Sequence, residues 1–203
     1  MRLFIALSIP DATEDALREI CHSVAGARFI SPGNFHLTLR FMGELDSEAF
    51  CTLRNALYDI DFQPFNLTLR GVGHFPLRGI PRTLWAGAYT DPIQPKGCAR
   101  DPLTSLQRQI EKRVIGLGHQ PDKRQFHPHV TLARLSDCRG ISERVAQFLA
   151  ANSLWRTEPF VVDAFHLYSS HTKNNETHYA IEQSYPFASF QSFPTPISTL
   201  SGM

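Results

Sequence analysis

Phe35-His36-Leu37-Thr38-Leu39-Arg40-Phe41 follows the turn-rich Ser31-Pro32-Gly33-Asn34, and in it apolar and polar residues alternate strictly. That period of two is the pattern of a strand with one face in a core. The second half of the chain carries the same tetrapeptide pattern as His129-Val130-Thr131-Leu132. Residues i and i+2 of a strand share a face, so His36 lies beside Thr38 and His129 beside Thr131, while Leu37, Leu39, Val130 and Leu132 turn to the other side. Each strand offers one imidazole and one hydroxyl to a common side. A single strand of this kind needs no functional explanation, because His and Thr are ordinary on a solvated face. Two copies, one in each half, point to a pseudo-symmetric fold that brings the two strands together across a cleft.

Outward from these strands, residues 2–8 read as a buried strand. Asp11 to about Ala25 reads as a helix, on an N-cap and the spacing of Ala16, Leu17, Ile20 and Val24. A helix over about 47–58 precedes the alternating Phe65, Leu67, Leu69 and Val72, and a Pro/Gly-rich turn leads to a strand over 83–89. Then come a helix over about 102–117, the His129 strand, a helix near 142–150, an apolar strand over 160–168 and a last strand over 177–183. Helix and strand units before and after residue 100 each contain one His-x-Thr-Leu strand, a weak internal repeat. The expected class is α+β: one domain over 1–187 and a Ser/Pro-rich tail over 188–203 with little structure of its own.

The composition of the 203 residues is that of an ordinary globular protein, with 42% hydrophobic and 19% charged residues. Twenty Lys and Arg against nineteen Asp and Glu leave a formal charge of +1. The overall field therefore does not attract a long polyanion, and an anionic substrate must be gripped by a few placed cations. Cys21, Cys51, Cys98 and Cys138 are far apart, without a C-x-x-C pair or zinc-finger spacing, so reduced thiols in a cytoplasmic protein are expected. The apolar run Leu3–Leu7 is too short for a signal sequence, and no stretch approaches the ~20 apolar residues of a membrane span. A monomer without a membrane partner is expected.

Two facing imidazoles suit phosphoryl transfer, because an unperturbed His titrates near ~6.5 and can hold either protonation state at neutral pH. On a 2′,3′-cyclic phosphate one would activate water and the other would protonate the departing ribose oxygen, with hydroxyl and Arg donors on the non-bridging oxygens. That scheme calls for neither metal nor cofactor. His127 and His129 form an H-x-H that could read as a metal pair, but no Cys, Asp or Glu is spaced to complete it. No phosphate-loop motif is present.

The two motifs, together with Arg2-Leu3-Phe4-Ile5-Ala6, Phe41-Met42-Gly43-Glu44, Gly71-Val72-Gly73-His74-Phe75-Pro76, Pro81-Arg82-Thr83-Leu84-Trp85-Ala86-Gly87 and Ala133-Arg134, resemble the two-histidine phosphoesterase superfamily. Within it they resemble the RNA 2′,3′-cyclic phosphodiesterases, also called 2′-5′ RNA ligases. The resemblance covers most of the chain. It implies a bilobal α+β fold, two pseudo-symmetric lobes with antiparallel sheets flanking a central cleft, and RNA 3′ ends bearing a 2′,3′-cyclic phosphate, tRNA halves among them, as partners. It implies His36 as proton donor to the leaving 3′-oxygen, His129 as the base on water, a 2′-phosphomonoester product, and Thr38 and Thr131 as phosphate ligands. The reverse, joining reaction uses the same acid/base pair.

Phe41, three residues after Thr38, is a candidate to stack a base, against the alternative that it continues the apolar side of the alternation into the core. Arg134, three after Thr131, is a candidate phosphate ligand, against a surface salt bridge. Tyr168, Ser169, Ser170 and His171 end a strand expected in the second lobe and are candidates to border the cleft, but exposed strand ends are usually polar, so they stay outside the expected site, as do His22, His74, His119, His166 and His178. A small cyclic nucleotide or cyclic phosphate as substrate, and a non-catalytic RNA-end binding module, are the competing readings.

Overall fold

A computed structural model describes residues 1–22, 24–91, 101–136, 140–173 and 176–187. The order is β1 (Arg2–Ser8), α1 (Asp11–Ile20), β2 (Ala27–Phe29), β3 (His36–Glu44), α2 (Ser47–Ala56), β4 (Phe65–Phe75), β5 (Thr83–Asp91), α3 (Pro102–Gly116), β6 (His129–Leu135), α4 (Ile141–Ala151), β7 (Phe160–Val162), β8 (Ala164–Lys173) and β9 (Glu176–Pro186). The Ser/Pro-rich 188–203 segment, Cys98 and Cys138 lie outside the described residues. The helix starts follow local chemistry: Asp46 accepts from the Ala49 N–H at α2, and Asp101 accepts from the Thr104 N–H at α3 with Pro102 at its first position. Helix α1 is shorter than its periodicity predicts. Cys21 leaves the helical region at ψ 55°, and Val24 reaches the core from the loop instead.

The nine described strands form one curled antiparallel sheet in the order β7-β4-β5-β6-β3-β1-β8-β9, with β2 alongside β6. β3 and β6 meet at its centre through the register pair Leu37 and Val130. One half is β9-β8-β1-β3 and the other is β6-β5-β4-β7, each holding one His-x-Thr strand. These halves are not the two ends of the chain. β1 is buried on both faces and needs a partner on each edge; β3 takes one edge and the returning β8 takes the other. Tyr168 to His171 therefore stand in the His36 half, not in the second lobe where the order of elements along the chain put them.

The helices cover one face of the sheet. Leu3, Ile5, Leu7, Leu37, Leu39, Val130, Leu132 and Leu167 form one core with Leu17, Leu53, Leu106 and Ile110. The other, concave face carries His36, Thr38, His129 and Thr131, all half-buried, and a small second cluster of Phe4, Ala6 and Tyr168.

Both central strands break their alternation at the same place. In β3 the register passes from Ala6–Thr38 to Ile5–Arg40, leaving Leu39 as an extra residue; in β6 it passes from Trp85–Thr131 to Leu84–Ala133, leaving Leu132. A bulge of one residue shifts the phase of every residue after it. Leu39 and Arg40 both turn to the helix side, as do Leu132 and Ala133. Phe41 and Arg134 come round to the concave face.

The same shift buries Arg40, at 8% exposure, behind the strand and against α3. There its Nε lies 3.3 Å from Glu111, its Nη1 3.6 Å from Asp122, and Nη2 donates to the Gln120 carbonyl. An ion held this far from water is tolerated because acceptors surround it, and removing one member strands the others. Replacing Arg40 by Met should lower the unfolding free energy in urea by about 3 kcal/mol. The double change Arg40→Met with Glu111→Gln should recover part of that loss, which measures the coupling between the two.

Candidate active site

His36 opens β3, and its ring is aimed by the turn before it. Nδ1–H donates to the Asn34 carbonyl at 2.8 Å. Because a carbonyl only accepts, Nδ1 carries the hydrogen and Nε2 keeps the lone pair in the neutral ring. The turn is itself anchored: Gly33, at φ 77°, donates its N–H to the buried carboxylate of Glu14 on α1 at 2.8 Å. His129 opens β6 in the same way, with Nδ1–H donating to the His127 carbonyl at 2.6 Å across Pro128. Both imidazoles are thus locked by the backbone two residues upstream, and both leave Nε2 for a ligand. Continuing the Leu37–Val130 register by one step on either side sets His36 opposite Thr131 and Thr38 opposite His129. The four side chains make a compact diagonal set.

Aromatic rings wall each imidazole. His36 lies 4.7 Å from the Phe4 ring and 4.9 Å from Tyr179, and Tyr168 stacks on Phe4 at 5.1 Å. His129 lies 5.1 Å from Phe75, edge to face, and 6.2 Å from Trp85. Gly73, opposite Trp85 in the β4–β5 register, makes room for that wall, since a Cβ there would stand 2.2 Å from the indole ring. Phe4, Phe75 and Trp85 fall inside the stretches that carry the family resemblance, but nothing in their local pattern distinguishes a wall from a core. Tyr168 reads in sequence as a polar strand end and Tyr179 carries no signal at all, because their partners come from β1 and β3, far away along the chain.

These walls set the electrostatics. Burial pushes the His36 pKa down to about 4, against a smaller upward pull from its bond to Asn34, with further downward pushes from Arg134 and His129. Burial also lowers His129, opposed by its bond to the His127 carbonyl, while the charges of His127 and Arg134 add to the fall. Arg134 therefore acts on both rings. Its Nη1 donates to Thr83 Oγ1 at 3.1 Å, which fixes the guanidinium on the concave face; the salt bridge considered from the sequence is absent among the described residues. Phe41 is 48% exposed and sits opposite Phe4 in register, at 6.0 Å between ring centroids. It is a concave-face residue and not the core residue that unbroken alternation implies.

The sequence-derived residues His36, Thr38, Phe41, His129, Thr131 and Arg134 thus share one face around the central junction. The arrangement offers two neutral imidazole nitrogens, two hydroxyl donors, one cation and one exposed ring. It can hold an anion between two groups able to exchange protons with it. No three His, Cys, Asp or Glu among the described residues converge on a point where they could hold a metal ion.

Known proteins similar to this chain are phosphoesterases. The family model for LigT-like phosphoesterases matches residues 7–85 and 93–179. The chain is similar to the RNA 2′,3′-cyclic phosphodiesterase of Aeropyrum pernix, 34% identical over 122 residues, which is 60% of this chain and 65% of that protein's length. It is also similar to the RNA 2′,3′-cyclic phosphodiesterase of Archaeoglobus fulgidus, 33% identical over 138 residues, 66% of this chain and 73% of that protein. The crystal structure of TT0787 of Thermus thermophilus superposes with a TM-score of 0.70 at 25% identity, covering 92% of this chain and 98% of that one.

In the unliganded protein, NMR titration of the imidazole signals should place His36 near pH 4 and His129 below the usual ~6.5. Both should move upward in Arg134→Met, because a positive charge that favoured the neutral rings has gone.

Proposed function

The chain belongs to the LigT-like phosphoesterase family, and from that premise and the paired His-x-Thr strands we propose that it hydrolyses RNA 2′,3′-cyclic phosphate ends to 2′-phosphomonoesters. The observation that carries the reading is the pair of imidazoles, each with Nδ1 committed to a backbone carbonyl and Nε2 open beside a threonine on one concave face. The names of the relatives from Aeropyrum and Archaeoglobus support the choice of substrate.

In this reading His129 Nε2 takes a proton from water as the water oxygen attacks phosphorus in line with the 3′-oxygen. The P–O3′ bond breaks, and His36 Nε2–H gives its proton to that oxygen, leaving a 3′-hydroxyl and a 2′-phosphomonoester. Thr38 and Thr131 donate hydroxyl hydrogens to the non-bridging oxygens, Arg134 pairs with their charge, and Phe41 stacks the terminal base. The two imidazoles carry both proton transfers, so no metal is required. The division of roles follows the family resemblance, because the pseudo-symmetric geometry treats the two rings alike. Their low proton affinity fits a site built for an anion: the incoming phosphodiester offsets Arg134 and restores the proton that His36 must deliver.

The reading extends to a cytoplasmic monomer acting on RNA ends, tRNA halves among them, with 1–187 as the catalytic unit. It is supported by the near-neutral charge and the free thiols of Cys21 and Cys51. No helix among the described residues is long and apolar enough to cross a membrane.

The test is incubation in EDTA with a short RNA ending in a 2′,3′-cyclic phosphate, followed by identification of the phosphate position. A 2′-phosphate is expected, with turnover falling ~10²–10⁴-fold in His36→Ala and in His129→Ala. Turnover that persists in both variants, or that vanishes in EDTA, would overturn the two-histidine mechanism. The pH optimum of kcat/KM, which reports the free enzyme, should lie below that of kcat, and should rise in Arg134→Met as both imidazoles regain basicity.

A further inference from the structure

The short strand β2 has no signal in the sequence, yet it brings a second arginine to the active face. β2 runs along the part of the β6 edge that β3 has left, with Ala27 opposite Leu135, Arg28 opposite Arg134 and Phe29 opposite Ala133. Ala27 and Phe29 pack against the core. Arg28 must therefore point the other way, onto the concave face beside Arg134. Both arginines are exposed, and among the described residues no carboxylate pairs with either. Like charges directly opposite each other in an antiparallel pair are unfavourable. That cost is relieved when anions occupy the face.

The two halves of the sheet differ at this point. The pair Phe4 and Phe41 of the β1–β3 register corresponds to Thr83 and Arg134 of the β5–β6 register. One half presents two rings and the other presents cations, so a nucleotide has a base end and a phosphate end. Arg134 follows the β6 bulge onto the face of His129 and Thr131 and its charge acts on both imidazoles, which matches its place at the reacting phosphate in the proposed reaction. Arg28 stands one strand farther along the same row.

Resting on the proposed reaction, we infer that Arg28 holds the phosphodiester immediately 5′ of the terminal nucleotide, while Arg134 holds the cyclic phosphate itself. The two arginines form a clamp for successive phosphates of a single strand, and Arg28 gives the preference for an oligonucleotide over a nucleoside cyclic phosphate. Its role is substrate selection through binding and involves no proton transfer.

Three substrates separate this clamp from other sources of preference: a nucleoside 2′,3′-cyclic phosphate, the same nucleoside bearing a 5′-phosphate, and a dinucleotide ending in the cyclic phosphate. In the unaltered protein the second and third should exceed the first in kcat/KM by about tenfold, the worth of one charge-assisted hydrogen bond. Arg28→Ala should erase that advantage and change the plain nucleoside less than twofold. Arg28→Lys should retain part of it, as a point charge without the guanidinium fork. The preference should also weaken with salt in the unaltered protein more steeply than in Arg28→Ala.

Equal losses on all three substrates, or a dinucleotide advantage that survives Arg28→Ala in a protein of unchanged circular dichroism, would overturn the clamp. Calorimetric affinities for a nucleoside 2′-phosphate and the corresponding dinucleotide 2′-phosphate give the same ratio without turnover. Absence of hydrolysis in the unaltered protein therefore counts against the proposed reaction, while the affinity ratio alone judges Arg28.

Discussion

Two half-sheets meet where Leu37 lies opposite Val130, and the rest of the site depends on that junction. An antiparallel pair places residues related by two-fold symmetry across from each other. Two strands that each begin His-x-Thr-Leu therefore deliver two imidazoles and two hydroxyls in a diagonal set. The junction is narrow, because β3 leaves β6 after this pair and β2 takes over the edge. A cleft floor of ordinary sheet is more rigid than a site assembled on loops, and each histidine gains further order from a carbonyl in its own chain two residues upstream.

The bulges at Leu39 and Leu132 give the site its third pair of residues. Each one inverts the phase of its strand, so that one sequence pattern serves two faces: His and Thr before the bulge look into the cleft, and Phe41 or Arg134 after it does so as well. The residue lost from the cleft in β3 is Arg40, which becomes an internal brace between the sheet, Glu111 of α3 and Asp122 of the following loop. The pseudo-symmetry holds for the two His-x-Thr strands, the bulge that follows each threonine and the Nδ1 bond of each imidazole. It is broken for the third pair, where a ring answers a guanidinium, and that break gives a symmetric cleft a direction.

The aromatic walls explain why both imidazoles have a lowered proton affinity. Phe4, Tyr168 and Tyr179 around His36, and Phe75 and Trp85 beside His129, remove water that would stabilise an imidazolium. Arg134 adds to the effect from within the cleft. The candidate site thus favours neutral imidazoles beside the fixed charge of Arg134.

Read alone, the sequence determined which residues share a face in each central strand, because alternation over His36–Leu39 and His129–Leu132 is a local property with a fixed period. It also carried the motif pair from which the acid/base chemistry is proposed. It did not determine which strands are neighbours, since hydrogen bonding between β1 and β8 joins segments from opposite ends of the chain and leaves no periodic trace in either. Only the tertiary structure decided that Tyr168 and Tyr179 stand beside His36, that β2 exists and carries Arg28 to Arg134, and that Phe41 faces the cleft. A bulge is a property of two paired strands and not of one, so the phase of everything beyond Leu39 and Leu132 could be known only once their partners were in place.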